Sequence, residues 1–260
     1  MKGFLFDVEF NWGFQARIAG MSKTSPSYIF PPPTSILGAL SEAYARRKGL
    51  SESKSVETMN RLSTKLLALS YKSLNAIPIT FQDINKIIAI RIAAGVEYPS
   101  AKNVYGSFDA PARGKTFLSS IDGRTPTIRI MLVFKDDIDI TSEDLWKIKR
   151  IGSKESMTST VNVIEENPKI VREPPIITQY LFPVMEGLEY DLDGEYVEQD
   201  FVPVIGQQIK DSPSTLYLSS MVVKHIIGVP FRNFFFRIRK LPKGFVGYEI
   251  NGEVAIGIEG

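Results

Sequence analysis

The side chains that most enzymes use for catalysis are scarce in this chain. Its 260 residues include no cysteine and one histidine, His225. Thiol nucleophiles, disulfides and cysteine-ligated metals are therefore excluded. His225 lies in the apolar run 221–227, a context typical of a buried structural histidine. No Ser-His-Asp set, no conspicuous carboxylate pair and no phosphate-loop glycine pattern occurs, so the residues favour binding over catalysis, with no metal and no cofactor.

One stretch, 25–48, joins a stiff loop to the start of a helix. Pro31–Pro33 fix an extended lead-in without amide donors, and Thr34 or Ser35 then supplies a side-chain oxygen that can cap a helix. Because a helix start carries unpaired N–H groups and partial positive charge, this loop, with Lys23 in front of it, is a candidate phosphate site. A well-capped core helix after a proline loop is the alternative, and the physical features alone favour it.

The charged residues are unevenly distributed. The formal net charge of +2 is too small to indicate a polyanionic partner by itself. Two short segments are basic, and the segment 186–200 is acidic and contains no cation. The basic residues are Lys147, Lys149, Arg150 and Lys154 in the first segment and Arg232, Arg237, Arg239, Lys240 and Lys243 in the second. This separation predicts one face for nucleic acid and another for a protein neighbour, although each cluster alone is first interpreted as solvated surface.

A second candidate binding segment, 95–126, is rich in glycine and proline. Loops of this length inside a compact domain are usually functional or mobile. Its mixture of cations and aromatic rings suits contact with phosphates and stacking on nucleobases. The residues concerned are Lys102, Tyr105, Phe108, Arg113, Lys115 and Arg124.

Hydrophobic periodicity predicts the elements that must position these segments. Strands are expected at 3–10, 76–81, 86–93, 127–135 and 157–164. Helices are expected from Thr34 or Ser35 to about Lys48 with Gly49 as the left-handed closing residue, from Ser53 or Ser55 through Leu67, and from Thr141 or Ser142 through Ile148 with Gly152 ending it. The order strand, helix, two strands, helix, strand predicts an α+β, ferredoxin-like fold with insertions, whose sheet supports RNA on its face or along its glycine-rich edge.

The rest of the chain predicts a smaller β-rich region. Pro168 to Pro175 is the expected boundary, and Asn251-Gly252 between two alternating runs predicts a hairpin. We therefore expect two domains, 1–167 with an insertion at about 95–126, and 175–260. Since an acid follows Met1 too early for a signal-peptide core, and no window has the apolar length of a membrane span, we expect a soluble, cytoplasmic protein with no membrane contact.

Two separated motifs resemble one known family. Trp12-Gly13-Phe14-Gln15-Ala16-Arg17, followed by Ser27-Tyr28-Ile29-Phe30-Pro31-Pro32-Pro33-Thr34-Ser35-Ile36-Leu37-Gly38-Ala39-Leu40, resembles the signature of the Cas-five family of CRISPR-associated proteins, which belongs to the RAMP superfamily. Arg150-Ile151-Gly152-Ser153-Lys154-Glu155-Ser156 resembles the glycine-rich segment that follows the second ferredoxin helix in that family. The matches occur in the family's order and cover roughly the first fifty residues and, briefly, the middle.

The resemblance implies a function as well as a fold. It implies a ferredoxin-like RAMP domain in a subunit of the archaeal, subtype I-A surveillance complex called Cascade, which serves antiviral defence. Such a subunit is non-catalytic, grips the 5′ handle of the mature guide RNA (crRNA) and caps the backbone filament. Its implied partners are the backbone subunit of the Cas-seven family, the large subunit and, through the complex, target DNA. A thumb-like hairpin at about 95–126 would wedge against the guide RNA.

The residues expected to contact RNA fall into three groups. The N-terminal group is Trp12, Phe14, Arg17, Lys23, Ser27, Tyr28, Thr34 and Ser35, with Arg46 and Arg47 nearby; the glycine-rich group is Arg150, Gly152, Ser153, Lys154 and Ser156; the thumb group is Tyr105, Phe108, Arg113 and Lys115. Glycine is expected at 152 because only glycine lets a backbone approach the sugar-phosphate chain so closely. We predict that the first two groups meet in one groove, with Tyr28 and Lys154 on the same side of the molecule.

Two other functions stay open at this point. Some members of the family cut precursor crRNA without a metal, using Tyr, Lys and His side chains. Here Tyr28 or Tyr44, Lys23 and His225 would be the candidates, but nothing in their spacing brings them together, so this endoribonuclease is the weaker alternative. The other alternative is a protein-interaction scaffold that docks through the acidic segment 186–200 and does not contact RNA.

Overall fold

The fold is a mixed α/β structure in which strands outnumber helices. The computed structural model describes residues 1–18, 26–84, 87–88, 91–93, 95–102, 108–109, 112–203 and 222–260. The helices are α1 (Pro33–Arg47), α2 (Ser55–Lys65), which follows a short 3₁₀ turn at Glu52–Lys54, and α3 (Ser142–Trp146). Within these ranges, none of the helices has the length and apolarity that crossing a membrane would require.

Strands occur throughout the described ranges. The first ten are β1 (Lys2–Phe10), β2 (Gly13–Phe14), β3 (Leu66–Ser73), β4 (Ala76–Ile84), β5 (Ile87–Ile88), β6 (Arg91–Ala93), β7 (Val96–Tyr98), β8 (Phe108–Asp109), β9 (Ala112–Ser120) and β10 (Thr127–Phe134). The others are β11 (Thr158–Glu166), β12 (Lys169–Val171), β13 (Ile176–Thr178), β14 (Phe182–Pro183), β15 (Glu189–Asp193), β16 (Tyr196–Pro203), β17 (Val222–Gly228), β18 (Phe235–Lys240), β19 (Phe245–Ile250) and β20 (Glu253–Ile258).

The central sheet has four antiparallel strands in the order β11-β1-β10-β3. The alternation predicted for its two middle strands is confirmed, since Phe4, Phe6 and Val8 of β1 and Ile128 and Ile130 of β10 are all completely buried. These side chains pack with α1, α2 and α3 in one hydrophobic cluster. Because β11 is an edge strand, the segment that leads into it lies at the margin of the sheet.

The three helices differ from their predicted ends. Helix α1 has Pro32 as its N-cap, without a side-chain cap, so Thr34 and Ser35 lie inside its first turn and the predicted capping is wrong. Gly49 has φ of 64° and closes this helix as predicted. Helix α2 stops at Lys65, because Leu66 onwards pairs with β10 in the sheet and this pairing overrides helical propensity.

Helix α3 begins after Thr141, as predicted. The Asp144 carboxylate accepts a hydrogen bond from the Thr141 backbone N–H at 3.0 Å, which completes a capping box. The helix ends at Trp146, several residues before Gly152, so the prediction that Gly152 ends it is wrong. The chain instead makes a separate turn at Gly152.

The second face of the central sheet is covered by the C-terminal strands. Leu5 and Met131 of the sheet are buried in one cluster with Tyr248 from the β12-β19-β20 sheet. Arg129 binds Asp7 within the central sheet at 2.6 Å and Glu253 of β20 at 2.7 Å, and the second ion pair joins the two sheets. This face of the sheet is therefore covered, which leaves the glycine-rich edge as the open one of these two predicted placements of RNA. The expected boundary at 168–175 is not a gap in the packing.

The insertion is a longer hairpin than the sequence indicated. Strand β4 pairs with β9 from Ala76↔Ser120 to Ile84↔Ala112, so the insertion hairpin (residues 76–120) begins well before the expected residue 95. The strand predicted at 76–81 belongs to this hairpin, and the region predicted as one strand at 86–93 contains the short strands β5 and β6. The hairpin predicted at Asn251-Gly252 is confirmed by the β19–β20 pairing.

Candidate nucleic-acid interface

The N-terminal motif forms a connecting segment, residues 12–18, between the sheet and the insertion hairpin. Gly13 and Phe14 pair with Phe117 and Thr116 of β9. The next residues pair with the proline loop (residues 26–32), since the Tyr28 N–H donates to the Ala16 carbonyl at 2.9 Å. The first part of the connecting segment therefore pairs with the hairpin, and its second part, from Ala16 to Ile18, pairs with the proline loop.

The glycine turn (residues 151–156) docks on the same connecting segment. The Ser153 N–H donates to the Gln15 carbonyl at 3.1 Å, and the Gln15 N–H donates to the Ser156 Oγ at 3.1 Å. The Trp12 indole N–H donates to the backbone carbonyl of Glu155. The proline loop bonds to Ala16 while the glycine turn bonds to Gln15, so the two predicted motifs meet through adjacent residues.

Glycines make these close approaches possible. Gly152 has φ of +108°, and a Cβ there would lie 3.0 Å from the Gln15 carbonyl oxygen and 3.1 Å from the Ser156 Oγ. A Cβ on Gly114 of β9 would lie 2.2 Å from the backbone N of Ser27. The junction is therefore four backbone segments packed together, the glycine turn against the connecting segment and β9 against the proline loop, and substitution at either glycine would push its pair apart.

Cationic side chains surround this junction on its solvent side. Arg17, Arg150 and Lys154 are exposed, as is Gly152 itself. The hydrogen bond from Ser153 is the main cause that lowers the pKa of Glu155, and the charges of Lys115 and Lys154 lower it further. Lys115 of the hairpin is thus close enough to the glycine turn to act on the same carboxylate as Lys154.

Four of the residues expected to contact RNA have side chains that are buried in the core or hydrogen-bonded within the protein. Phe14 is 0% exposed and Tyr28 is 4% exposed, so their rings belong to the core and are not available for stacking. Burial raises the pKa of Tyr28 to about 12. The hydroxyl of Ser27 bonds to the Ala16 backbone, and the buried hydroxyl of Ser156 bonds to Gln15 and Ser153. These four residues shape the junction rather than line it.

The residues of α1 also hold the fold together. Arg47 makes a two-pronged ion pair with the fully buried Asp144 of α3, with N–O distances of 2.6 and 2.9 Å. Arg46 is exposed but bonds to Glu42 and to the Lys147 carbonyl. The expected RNA contact of Arg47 conflicts with this pairing, because the guanidinium compensates a buried charge.

The other expected RNA-binding residues lie in the loop before the proline loop, in the insertion hairpin and at the start of α1. Lys23 and Tyr105 lie outside the described residues. Phe108 pairs with Ile88 in the hairpin and Arg113 pairs with Asp83, but only their backbone positions are described. Thr34 and Ser35 are half-buried at the start of α1, next to the proline loop.

The structure adds an aromatic cluster that the sequence did not indicate. Phe81 of β4 and Phe117 of β9 are stacked, with ring centroids 4.7 Å apart and planes 8° apart. Trp12 packs edge-on against Phe117 at 5.3 Å. The alternation of Ile77, Ile79 and Phe81 in the sequence indicates a strand with one apolar face. Phe117, on which Phe81 stacks, lies in the segment 95–126 that was interpreted as a loop.

The separated charge clusters partly neutralise each other. Arg239 of β18 lies 3.3 Å from Asp191 of β15, and Lys240 lies 3.3 Å from Glu189. β15 and β18 are paired strands, so the acidic and basic segments face each other across one sheet. The prediction that these signs mark two separate faces is wrong for the strands, because strand pairing is not readable from sequence distance.

The candidate catalytic residues contact different parts of the molecule. Burial lowers the pKa of His225 to about 4, and the side chain is only 6% exposed. The Tyr44 hydroxyl donates to Asp139 at 2.8 Å at the far end of α1 from the proline loop. Among the described residues no group of three or more His, Asp or Glu side chains is arranged to hold a metal ion.

Similar proteins come from archaeal CRISPR systems. The CRISPR-associated protein Cas5 2 of Saccharolobus solfataricus is 26% identical over 190 residues, which span 70% of this chain and 68% of that protein. The CRISPR system aCascade subunit Cas5 1 of the same organism is 25% identical over 168 residues, spanning 60% of this chain and 62% of that protein. A crystal structure of a CRISPR protein from Archaeoglobus fulgidus has a TM-score of 0.72 and 35% identity, covering 99% of this chain and 100% of that one. No family model matches the chain.

Proposed function

Because the chain belongs to the Cas5 family of CRISPR-associated proteins, we propose that it is the subunit of a type I surveillance complex that grips the 5′ handle of the crRNA. The observation that carries this proposal is the junction at Gln15 and Ala16, where the glycine turn and the proline loop meet. Exposed cations at Arg17, Arg150 and Lys154 border it. Phosphate contacts from such side chains would fix the position of the RNA strand.

The fold supports this placement of the RNA. We propose that the sheet β11-β1-β10-β3, with its helices on one face, is a ferredoxin-like RAMP domain, since its strands have the order 4-1-3-2 that a split βαβ arrangement produces. The other face is covered by C-terminal strands. The margin beside β11, where the glycine turn lies, is the part of the domain left for RNA.

The proposed partners follow from this role. The subunit would cap a backbone filament of the Cas-seven family and contact the large subunit, with target DNA reached through the complex. The name of one relative, an aCascade subunit, supports membership of such an assembly, and the archaeal relatives support subtype I-A. The insertion hairpin would act as the thumb against the guide strand.

We propose that the subunit is not a nuclease. The deep burial of His225, and of the Tyr28 ring, supports this, since a general acid or base must reach the RNA. Incubation of the purified protein with a repeat hairpin in chelator tests it. The expected result is intact RNA, whereas one discrete cut that disappears in His225→Ala would contradict the proposal.

The RNA contact itself is tested by charge reversal. In Lys154→Glu we expect weaker binding of repeat-derived RNA and a salt dependence reduced by about one ion per lost phosphate contact. Filter binding across a salt series measures both quantities. Lys243→Glu, at an exposed turn before β19, is the matched control and should bind like the parent. Equal binding by Lys154→Glu and the parent would count against the junction as the RNA site.

A scaffold that docks through 186–200 remains the competing function. Ultraviolet crosslinking of the reconstituted complex separates the two. We expect the crRNA handle to crosslink to this chain, and a complex whose handle links only to other subunits would favour the scaffold.

A further inference from the structure

Three aromatic rings form a row on the outer face of the insertion hairpin. Phe117 lies between Trp12, which meets it edge-on, and Phe81, which stacks on it in parallel. Phe81 is 36% exposed and Phe117 is 39% exposed. Within the described ranges Phe81 stacks on no other ring, so the face of its ring that is opposite Phe117 has no stacking partner there.

The strand register explains why these rings share one face. Phe81 pairs with Lys115 and Ile79 pairs with Phe117, so these four residues lie on the same face of the β4–β9 pair. On β9 the intervening residue Thr116 points inward, where it is fully buried and donates to the Tyr28 carbonyl at 2.6 Å. The inward side thus anchors the hairpin to the proline loop and leaves the rings outside.

The surroundings of the rings indicate what they bind. The Trp12 indole is bonded to Glu155 of the glycine turn, so the row of rings starts at the junction proposed to hold RNA. Lys115 pairs with Phe81 across the strands, and its positive charge contributes to lowering the pKa of Glu155 in the glycine turn. Exposed rings beside cations suit an unpaired nucleobase with its phosphate, because the base can stack on a ring while a cation meets the phosphate.

We propose that Phe81 and Phe117, supported by Trp12, form a stacking platform for one unpaired nucleobase of the bound RNA. The base lies on the outer face of Phe81, and its phosphate lies toward Lys115 and Lys154. The proposal rests on the proposed function, because it adds a base-binding subsite next to the RNA junction. Since every base has a flat π face, the platform accepts bases without sequence preference.

The experiment uses the full chain and a short oligouridine that carries a single 2-aminopurine at successive positions. Stacking on Phe81 should quench the fluorescence of 2-aminopurine at one position. We expect Phe81→Leu to remove that quenching and to weaken affinity by ~5- to 150-fold, which corresponds to ~1–3 kcal/mol for one lost stack. Phe81→Trp keeps an aromatic face and should keep both signals.

A matched control separates stacking from apolar docking. Ile79 is 54% exposed on the same hairpin face but has no ring, so Ile79→Ala should leave RNA binding and quenching unchanged.

Three outcomes distinguish the platform from the proposed function. If Phe81→Leu and Phe117→Leu are folded by circular dichroism but bind and quench like the parent, the platform is overturned and the RNA junction stands. If RNA binding survives in Phe81→Leu and Phe117→Leu, but Phe81→Ala no longer assembles with the other subunits, the rings dock a protein and the platform is also overturned. A parent that binds no RNA would instead overturn the proposed function.

Discussion

Single residues decide how closely the glycine turn approaches the connecting segment. Gly152 combines a φ of +108° with a Cβ position only 3.0 Å from the Gln15 carbonyl oxygen. L residues rarely adopt that backbone conformation, and the nearest atom belongs to the backbone and cannot rotate away. The family resemblance at this position thus has a physical basis in the protein's own packing, whether or not RNA is bound.

We expect Gly152→Ala to destabilise the protein by ~1–3 kcal/mol, since both backbone strain and a steric contact result. Urea unfolding followed by circular dichroism measures the change. Gly38→Ala is the control, because a Cβ at this position in α1 meets no atom within 4 Å and alanine should stabilise the helix by ~0.5–1 kcal/mol. A Gly152→Ala protein as stable as the parent would show that the turn can shift.

At the scale of elements, one ion pair joins the first and last helices of the central domain. Arg47 at the end of α1 holds Asp144 at the start of α3, and its Nη2 also donates to the Asp139 carbonyl at 2.7 Å. Asp144 is fully buried, so water could not solvate its charge if the guanidinium were removed. The pair fixes the position of α3, and the glycine turn follows α3 after a short connection, residues 147–150.

We expect Arg47→Met to cost ~3–5 kcal/mol of unfolding free energy, because a buried carboxylate loses its partner. Adding Asp144→Asn should restore part of that loss, since the charge is then removed while an oxygen remains for the Thr141 N–H. Arg46→Met, at an exposed neighbour, should cost less than about 1 kcal/mol. Denaturant titration of the three variants measures these differences, and equal losses in Arg46→Met and Arg47→Met would contradict the role of the pair.

For the whole molecule, stability should depend on pH through the sole histidine. His225 is buried among strands, and burial lowers its pKa from 6.5 to about 4. In the unfolded chain the imidazole binds a proton below about pH 6.5, whereas in the folded protein it stays neutral down to about pH 4. The unfolded state therefore binds more protons in this window, and stability falls as the pH is lowered through it.

We expect the free energy of unfolding to drop by roughly 3 kcal/mol from this residue between pH 7 and pH 4. His225→Leu should flatten that part of the curve. Because the chain has one histidine, its imidazole resonance can be assigned directly and titrated by NMR. A measured pKa near 6.5 in the folded protein would contradict the burial and remove the expected pH dependence.

Asp139 should not add to this loss in the same window. Burial alone would raise the pKa of Asp139, but hydrogen bonds from Lys48 and Tyr44 outweigh burial and lower it to about 2. The stability that a carboxyl with a lowered pKa contributes is complete above its pKa in the unfolded chain. It is lost as the pH falls from that value through the lower pKa of the folded protein. Its contribution therefore declines below about pH 4, after the histidine has titrated.

The sequence alone determined the features that depend on local pattern. The period-2 alternation of Phe4, Phe6 and Val8, and of Ile128 and Ile130, identified the middle strands of the sheet and the face that packs against the helices, because successive side chains of a strand point to opposite faces. The composition excluded thiol chemistry, and the two motifs identified the family. Turn residues such as Gly49 and Asn251-Gly252 were recognisable because their backbone conformation is local.

Only the tertiary structure decided which surfaces are covered and which residues meet. The rings of Tyr28 and Phe14 are apolar and aromatic whether they are buried or exposed, and only packing settled their burial. Phe81 and Phe117 stack because β4 pairs with β9, a register that neither strand encodes separately. The acidic and basic segments neutralise each other for the same reason. Local sequence specifies what each face prefers, but long-range strand pairing specifies what actually lies opposite it.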